Sequence, residues 1–341
     1  MSSLFDHTVI SSSTPRLLPI LSLVTLFDSS FLPQGLALYS SLVNTQVNFC
    51  LYVLCIDSYT YDYLLDRDDP YLVPISLDQI LTSSLRIARA NRNSREFAWT
   101  LAPFSVTAVF EYFPHVEILF YLDADTYLLS SLDSLYSQFA TSKSVVAITP
   151  HYYSPQYDES LTSGDICVQL VGFKKSGGAQ LANRWLDLCL HSCSETPSDG
   201  LFGDQMHLCH MYTENPSLFL RLSDQFLFLA PWNSLSYPVS QSLAFHFQGL
   251  RILSPYLFIL GHKAISSSAM RSVYKPYLLE LSRTSRLLPS LKSQYRLVTP
   301  THAAKLFMSL FAWSFCPKGR YPDKRPLFRV AFVFGSRVFI S

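Results

Sequence analysis

Residues 118–136 read ILFYLDADTYLLSSLDSLY. An apolar run ends in two aspartates one residue apart, Asp123 and Asp125. Two ionised carboxylates about 4 Å apart repel by roughly 4 kcal/mol at a surface-like effective dielectric. A stiff strand end that holds such a pair needs open water or a cation, and a divalent ion with oxygen ligands suits acids placed around a tight turn. The plain alternative is a solvated acidic turn.

The elements that must position this pair can be read from hydropathy. Residues 17–28 form an apolar run ending in Asp28, and residues 48–57 form another ending in Asp57. With 116–123, these are three predicted strands, apolar throughout rather than alternating, so both faces of each are covered. That is the signature of a mostly parallel α/β sheet flanked by helices. Ligands of such sheets bind beyond the carboxyl ends of the strands, where Asp28, Asp57 and Asp123 would converge. A helix is expected over 32–44, with Pro33 in its first turn. Helical pattern also covers 78–113, broken at Pro103, and 177–193, where Leu181, Trp185, Leu188 and Cys189 share a face. Shorter strands are expected at 144–150, 166–174, 226–230 and 243–248.

The chain has 341 residues, 49% hydrophobic and 15% charged, ample for a packed core and too apolar for a disordered chain. A formal net charge of +1 gives no electrostatic case for nucleic acid. No run reaches the ~18 apolar residues of a membrane span, and the N-terminus has an aspartate, no lysine and no small-residue cleavage site, so no signal peptide is expected. The seven cysteines are odd in number and form no CxxC, which suits a reducing cytoplasm. Cys189, His191, Cys193, His207, Cys209 and His210 contain metal-ligand types, but their spacing matches no familiar zinc knuckle. Beyond about residue 260 basic and aromatic residues interleave. Such a stretch suits contact with an anionic inner membrane face; the alternative is a subdomain packed on the sheet.

The haloacid dehalogenase-like phosphatases also keep Asp-x-Asp at a strand end. Their pattern needs Thr or Val at position 127, where this chain has Tyr127, and it follows the first strand rather than the third. The segment "LFYLDADTYLLSSLDSLY" instead resembles the Asp-x-Asp region of GT-A-fold glycosyltransferases, most like the family 8-type retaining enzymes and a bacterial group of nucleotide-diphospho-sugar transferases. Matching stretches follow in order, among them "TLFDSSFLPQGLALYSSL", "EFAWTLAP", "VAITPHYYS", "GDICVQLVGFKKSGG", "GLFGDQMHL", "APWN" and "FHFQGLR". They span about residues 20–255. The resemblance implies a GT-A, Rossmann-like domain over 17–260, preceded by a loose tail, 1–16, and followed by a C-terminal extension, 261–341.

It also implies roles. Asp123 and Asp125 would hold Mn2+ or Mg2+ on the diphosphate of a nucleotide-diphospho-sugar donor, with His246 of "HFQG" as third ligand. An imidazole beside two carboxylates tilts the choice toward Mn2+ over Ca2+. Arg251 would add a cation to the phosphates. Asp28, with Ser30 beside it, would meet the nucleoside. Asp204 would hydrogen-bond sugar hydroxyls, Gln205 would lie near the anomeric carbon, and Trp232 and Asn233 would line the acceptor side. The acceptor would be a glycan, lipid or protein. The chain departs from the pattern in three places. Cys167 stands where related proteins tend to show asparagine, the arginine upstream of Asp-x-Asp has no equivalent, and the histidine-to-cation spacing at Arg251 is one residue short and lacks the Pro-Trp that follows. These losses leave a second reading, a catalytically weakened nucleotide-sugar-binding protein on the same fold.

Overall fold

The computed structural model describes residues 21–196, 202–222, 228–261, 263–288, 308 and 329–340. The predicted tail, 1–16, lies outside these residues, as does most of 289–328. Strand β1 (Leu21–Phe27) is buried at every position. Val24 and Leu26 pack into one apolar cluster, while Leu21, Leu23 and Phe27 pack into another. The two clusters lie on opposite faces, which is why the strand carries no polar alternation. Phe49–Cys55 (β2) behaves alike, with Cys50 in the first cluster and Cys55 in the second.

The remaining strands follow as β3 (Leu72–Ser76), β4 (Ile118–Leu122), β5 (Thr126–Leu128), β6 (Val146–Pro150), β7 (Ile166–Lys174), β8 (Phe219–Arg221), β9 (Phe228–Leu229), β10 (Ala244–His246), β11 (Arg251–Ser254), β12 (Leu257–Gly261), β13 (Arg329–Phe334) and β14 (Arg337–Ile340). Among the described residues the main sheet runs β3-β2-β1-β4-β7-β6-β8. Its pairings are parallel except where β7 meets β4 and β6. A second sheet, β5-β10-β9, continues from the turn after β4, and a third, β11-β12-β13-β14, is antiparallel. The strand before the aspartate pair is therefore the fourth, because β3 was not anticipated.

The helix Leu32–Asn44 covers one face of the main sheet with Leu32, Leu36 and Leu42. The opposite face is covered by helices Ser94–Tyr112 and Lys175–His191. The expected break at Pro103 does not occur. Residues 78–113 divide earlier, at Thr82 and Asn93, whose side chains cap the helices Ser83–Asn91 and Ser94–Tyr112, and the second continues through Pro103. An internal proline removes one hydrogen bond and costs about 3 kcal/mol. Burial of Leu101, Ala102, Phe104 and Val106 around it offsets that cost.

The third sheet draws on both sides of residue 260, since β12 pairs with β13. Helix Lys275–Leu287 lies against Leu32–Asn44, where the Ser40 hydroxyl donates to Glu280 at 2.9 Å. Among the described residues, no helix is long and apolar enough to cross a membrane.

Candidate functional site

The order β2-β1-β4 is parallel throughout, so Asp57, Asp28 and Asp123 leave the same edge of the sheet. The first two are engaged in local structure. Asp28 accepts from the Ser30 amide at 2.9 Å, the Ser30 hydroxyl at 2.5 Å and the Phe31 amide at 3.2 Å, holding the turn into Leu32–Asn44. Asp57 caps helix Ser58–Leu65 through the Thr60 amide at 2.8 Å and reaches across to the Ser29 amide at 2.9 Å. Burial works against its charge, but these donors outweigh it and hold the carboxyl below the usual range.

Asp123 and Asp125 sit in the tight turn between β4 and β5. The Thr126 amide closes it on the Asp123 carbonyl at 3.1 Å, and the Asp123 amide is held by the Gln169 carbonyl on β7. Strand β5 then pairs antiparallel with β10, setting His246 opposite Thr126. The Phe247 amide donates to the Asp125 carbonyl at 2.9 Å and locks this register. Just beyond, Gly249 takes φ +84° in the turn closed by the Leu250 amide on Phe247, a conformation that favours glycine.

The pairing brings the imidazole onto the acid pair. His246 Nε2 lies 3.1 Å from Asp125 Oδ1 and 3.5 Å from Asp123 Oδ2. One ligand atom from each residue lies within 4.8 Å of the others. An octahedral ion about 2.1 Å from its ligands sets neighbouring ligand atoms about 3.0 Å apart, close to the observed separations. Tyr121, two residues before Asp123 on β4, donates its hydroxyl to Asp123 Oδ1 at 2.8 Å. On the His246 side, Trp232 meets the ring edge-on at 5.6 Å. Cys167 is a buried neighbour of His246, whose Nδ1 has no hydrogen-bond partner among the described residues.

Burial opposes charge on His246, yet the Asp125 carboxylate outweighs it and holds the imidazole well above the usual histidine range. Burial pushes the Asp123 carboxyl up, against the pull of His246 and the Tyr121 hydroxyl.

Asp204 is buried at the start of helix Gln205–Glu214, and burial drives its carboxyl well above the usual range. The Asp123 charge contributes to that shift, so Asp204 lies in electrostatic reach of the cluster. The Trp185 indole donates to the Asp204 carbonyl at 2.9 Å, and the Gln205 amide donates to the Ser163 carbonyl. Arg251 opens β11 and is exposed. Trp232 and Asn233 both donate to the His151 carbonyl, at 2.9 and 3.0 Å. Of the expected site residues, then, Asp123, Asp125 and His246 form one cluster and Asp204 feels it, while Asp28 and Ser30 bond to each other. The Cys/His residues between 189 and 210, whose spacing matched no zinc knuckle, are not among the metal-capable groups of the described residues, where Asp123, Asp125 and His246 are found. Tyr121 was missed as a functional residue. Its signal was a lone hydroxyl two residues before an acid in an otherwise apolar strand.

No family model matches the chain. It is 24% identical over 254 residues to the uncharacterized protein YfnF of Bacillus subtilis (strain 168), covering 67% of this chain and 82% of YfnF. It is also 24% identical over 256 residues to YfnD of the same organism, covering 69% and 80%. Among solved structures it is similar to the galactosyltransferase LgtC in complex with donor and acceptor sugar analogs, with a TM-score of 0.52, 11% identity, and 81% of this chain and 100% of that chain covered. The chain therefore has the mixed α/β, GT-A (Rossmann-like) fold, with an Asp-Asp-His cluster at the carboxyl edge of its central sheet.

Proposed function

We propose that this chain is a metal-dependent glycosyltransferase of the family 8-like type. It moves a sugar from a nucleotide-diphospho-sugar to a glycan, lipid or protein acceptor, with retention of configuration. The observation that carries this reading is the meeting of Asp123, Asp125 and His246 at the GT-A sheet edge, at ligand separations suited to an octahedral ion.

Asp123, Asp125 and His246 would hold Mn2+, or Mg2+, with Tyr121 orienting Asp123. When bound, the ion supplies positive charge against the diphosphate that departs with growing negative charge. The chain's own groups do the rest. Asp204, whose carboxyl burial raises well above the usual range, would hydrogen-bond a sugar hydroxyl, and the Gln205 side chain is steadied by Ser163. Buried Trp232 backs His246 and excludes water from that side. The test is the double substitution Asp123→Ala with Asp125→Ala. Donor hydrolysis and transfer are lost while the circular dichroism spectrum is kept; turnover at the wild-type rate removes the proposal.

The Cys167 thiol beside His246 favours a second reading, a weakened nucleotide-sugar-binding protein. Calorimetry with a panel of nucleotide sugars and Mn2+ separates the two, because binding without any hydrolysis supports the second and measurable turnover excludes it.

A further inference from the structure

Lys263 stands two residues past β12 and is 6% exposed, although lysine is seldom buried without a partner. Its ammonium lies over two aromatic rings, 5.8 Å from the Tyr157 centroid and 5.7 Å from the Trp232 centroid, within range of cation–π attraction. Both rings are fixed by hydrogen bonds. The Tyr157 hydroxyl accepts from the Ala264 amide at 2.6 Å, and the Trp232 indole N–H is taken by the His151 carbonyl. Trp232 therefore offers ring surface rather than a polar atom. The same indole meets His246, so the ammonium stands one ring away from the Asp-Asp-His cluster.

An ammonium has three donors. Among the described residues, Lys263 uses one, toward Glu159 Oε1 at 2.8 Å. Glu159 lies in the loop between β6 and β7, and its side chain is 49% exposed. It precedes the short helix Ser160–Ser163 but makes no side-chain cap bond there. A buried cation thus faces a solvent-facing carboxylate that no other described group holds. An ion pair with an exposed partner is weak and exchanges readily, whereas the lysine, walled by rings, keeps its need for an anion.

We propose that Lys263, with the faces of Tyr157 and Trp232, is an anion-recognising acceptor subsite, and that the acceptor is a sugar whose carboxylate or phosphate displaces Glu159. This rests on the glycosyltransferase reading above. The rings take the apolar C–H face of a pyranose, and the ammonium takes its charge, the usual division in a site with apolar walls and few polar groups. The donor diphosphate is assigned to the ion at Asp123, Asp125 and His246, which leaves Lys263 for a different anion. Glu159 keeps the lysine paired until that anion arrives.

Binding of glucose, glucuronic acid, glucose 6-phosphate and inorganic phosphate to the full-length chain is measured by ligand-observed magnetic resonance. EDTA is present, so that no ion occupies the acid cluster. At least one of the two anionic sugars binds about tenfold or more tightly than glucose, and which of them does so tells carboxylate from phosphate. Lys263→Met, which keeps the apolar stem, removes that preference. Glu159→Gln removes the internal competitor and tightens the preferred anionic sugar by about two- to fivefold with glucose unchanged. A merely structural ion pair gives no such gain, and this variant decides the matter if Lys263→Met fails to fold. Equal affinity for glucose and both anionic sugars, or no gain in Glu159→Gln, overturns the subsite. Inorganic phosphate bound as tightly as glucose 6-phosphate overturns the role of the rings, and displacement of the sugar by uridine diphosphate overturns the assignment to the acceptor. Donor hydrolysis in Mn2+ is assayed alongside. Hydrolysis with none of the anion effects keeps the proposed reaction and removes this subsite, whereas the anion effects without hydrolysis keep the anion site and remove the reaction.

Discussion

Replacing Tyr121 by phenylalanine isolates the support of the candidate metal site from its proposed ligands. The side chain is 4% exposed and its ring packs in the core against the helical layer, so the phenylalanine ring refills the same space. What disappears is the O–H donated to Asp123 Oδ1 at 2.8 Å. A hydrogen bond to a charged group contributes about 1.5–3 kcal/mol, and loss of an outer partner of a metal ligand typically costs 10–100-fold in affinity, or about 1.4–2.7 kcal/mol. The two estimates agree. Tyr121→Phe is therefore expected to weaken Mn2+ binding by about 10–100-fold while leaving the chain folded. The deficit should widen as pH falls. The Tyr121 bond lowers the Asp123 pKa against burial, so without it the carboxyl takes up a proton at higher pH and competes with the ion. Isothermal titration with Mn2+ at about pH 7.5 and about pH 6 reads both effects. Wild-type affinity at both pH values would refute the claim that this hydroxyl orients a ligand.

Further predictions follow from the same geometry. Because Asp125 holds the His246 imidazole well above its usual range after offsetting burial, binding of Mn2+ near neutral pH expels a proton, and affinity rises by about tenfold per pH unit below that pKa. Calorimetry in two buffers of different ionisation enthalpy measures the release; zero release would count against His246 as a ligand. Asp57→Ala removes the cap on helix Ser58–Leu65 and the tie to the Ser29 amide, costing about 1–2 kcal/mol in urea unfolding. His151 is pushed down to about 3 by burial, with His246 adding to it. Its folded pKa lies below the unfolded value of about 6.5, so its contribution is intact above that pH. As pH falls between the two values, about 1.4 kcal/mol is lost per unit. Urea unfolding of His151→Phe should lose about 2 kcal/mol less than wild type between about pH 6.5 and pH 5, and equal losses would refute the assignment.

Much of the scaffold was legible because burial leaves a local mark. The continuous apolar runs of β1, β2 and β4 announce strands covered on both faces, and the acids that end them mark the sheet's functional edge. Pro33 sits at the start of the helix it was expected to open. Strand β3 was hidden by Pro74, which suits the sheet edge it occupies and breaks the usual strand pattern. Pro103 misled in the opposite way, since core packing sustains the helix that local propensity would end.

What the amino-acid order decided alone was therefore the class of fold and the presence of a carboxylate pair in want of a cation. The third candidate ligand was named through the resemblance of HFQG, and its meeting with the acids was a decision of the tertiary structure. Apart from the resemblance of HFQG, His246 is a histidine in a short apolar strand, and hydropathy alone does not set it apart from core. The β5–β10 pairing and the Phe247–Asp125 bond turn it onto the acids. Local patterns report which side of an element is buried, whereas the meeting of distant side chains depends on strand register and packing that only the folded chain establishes.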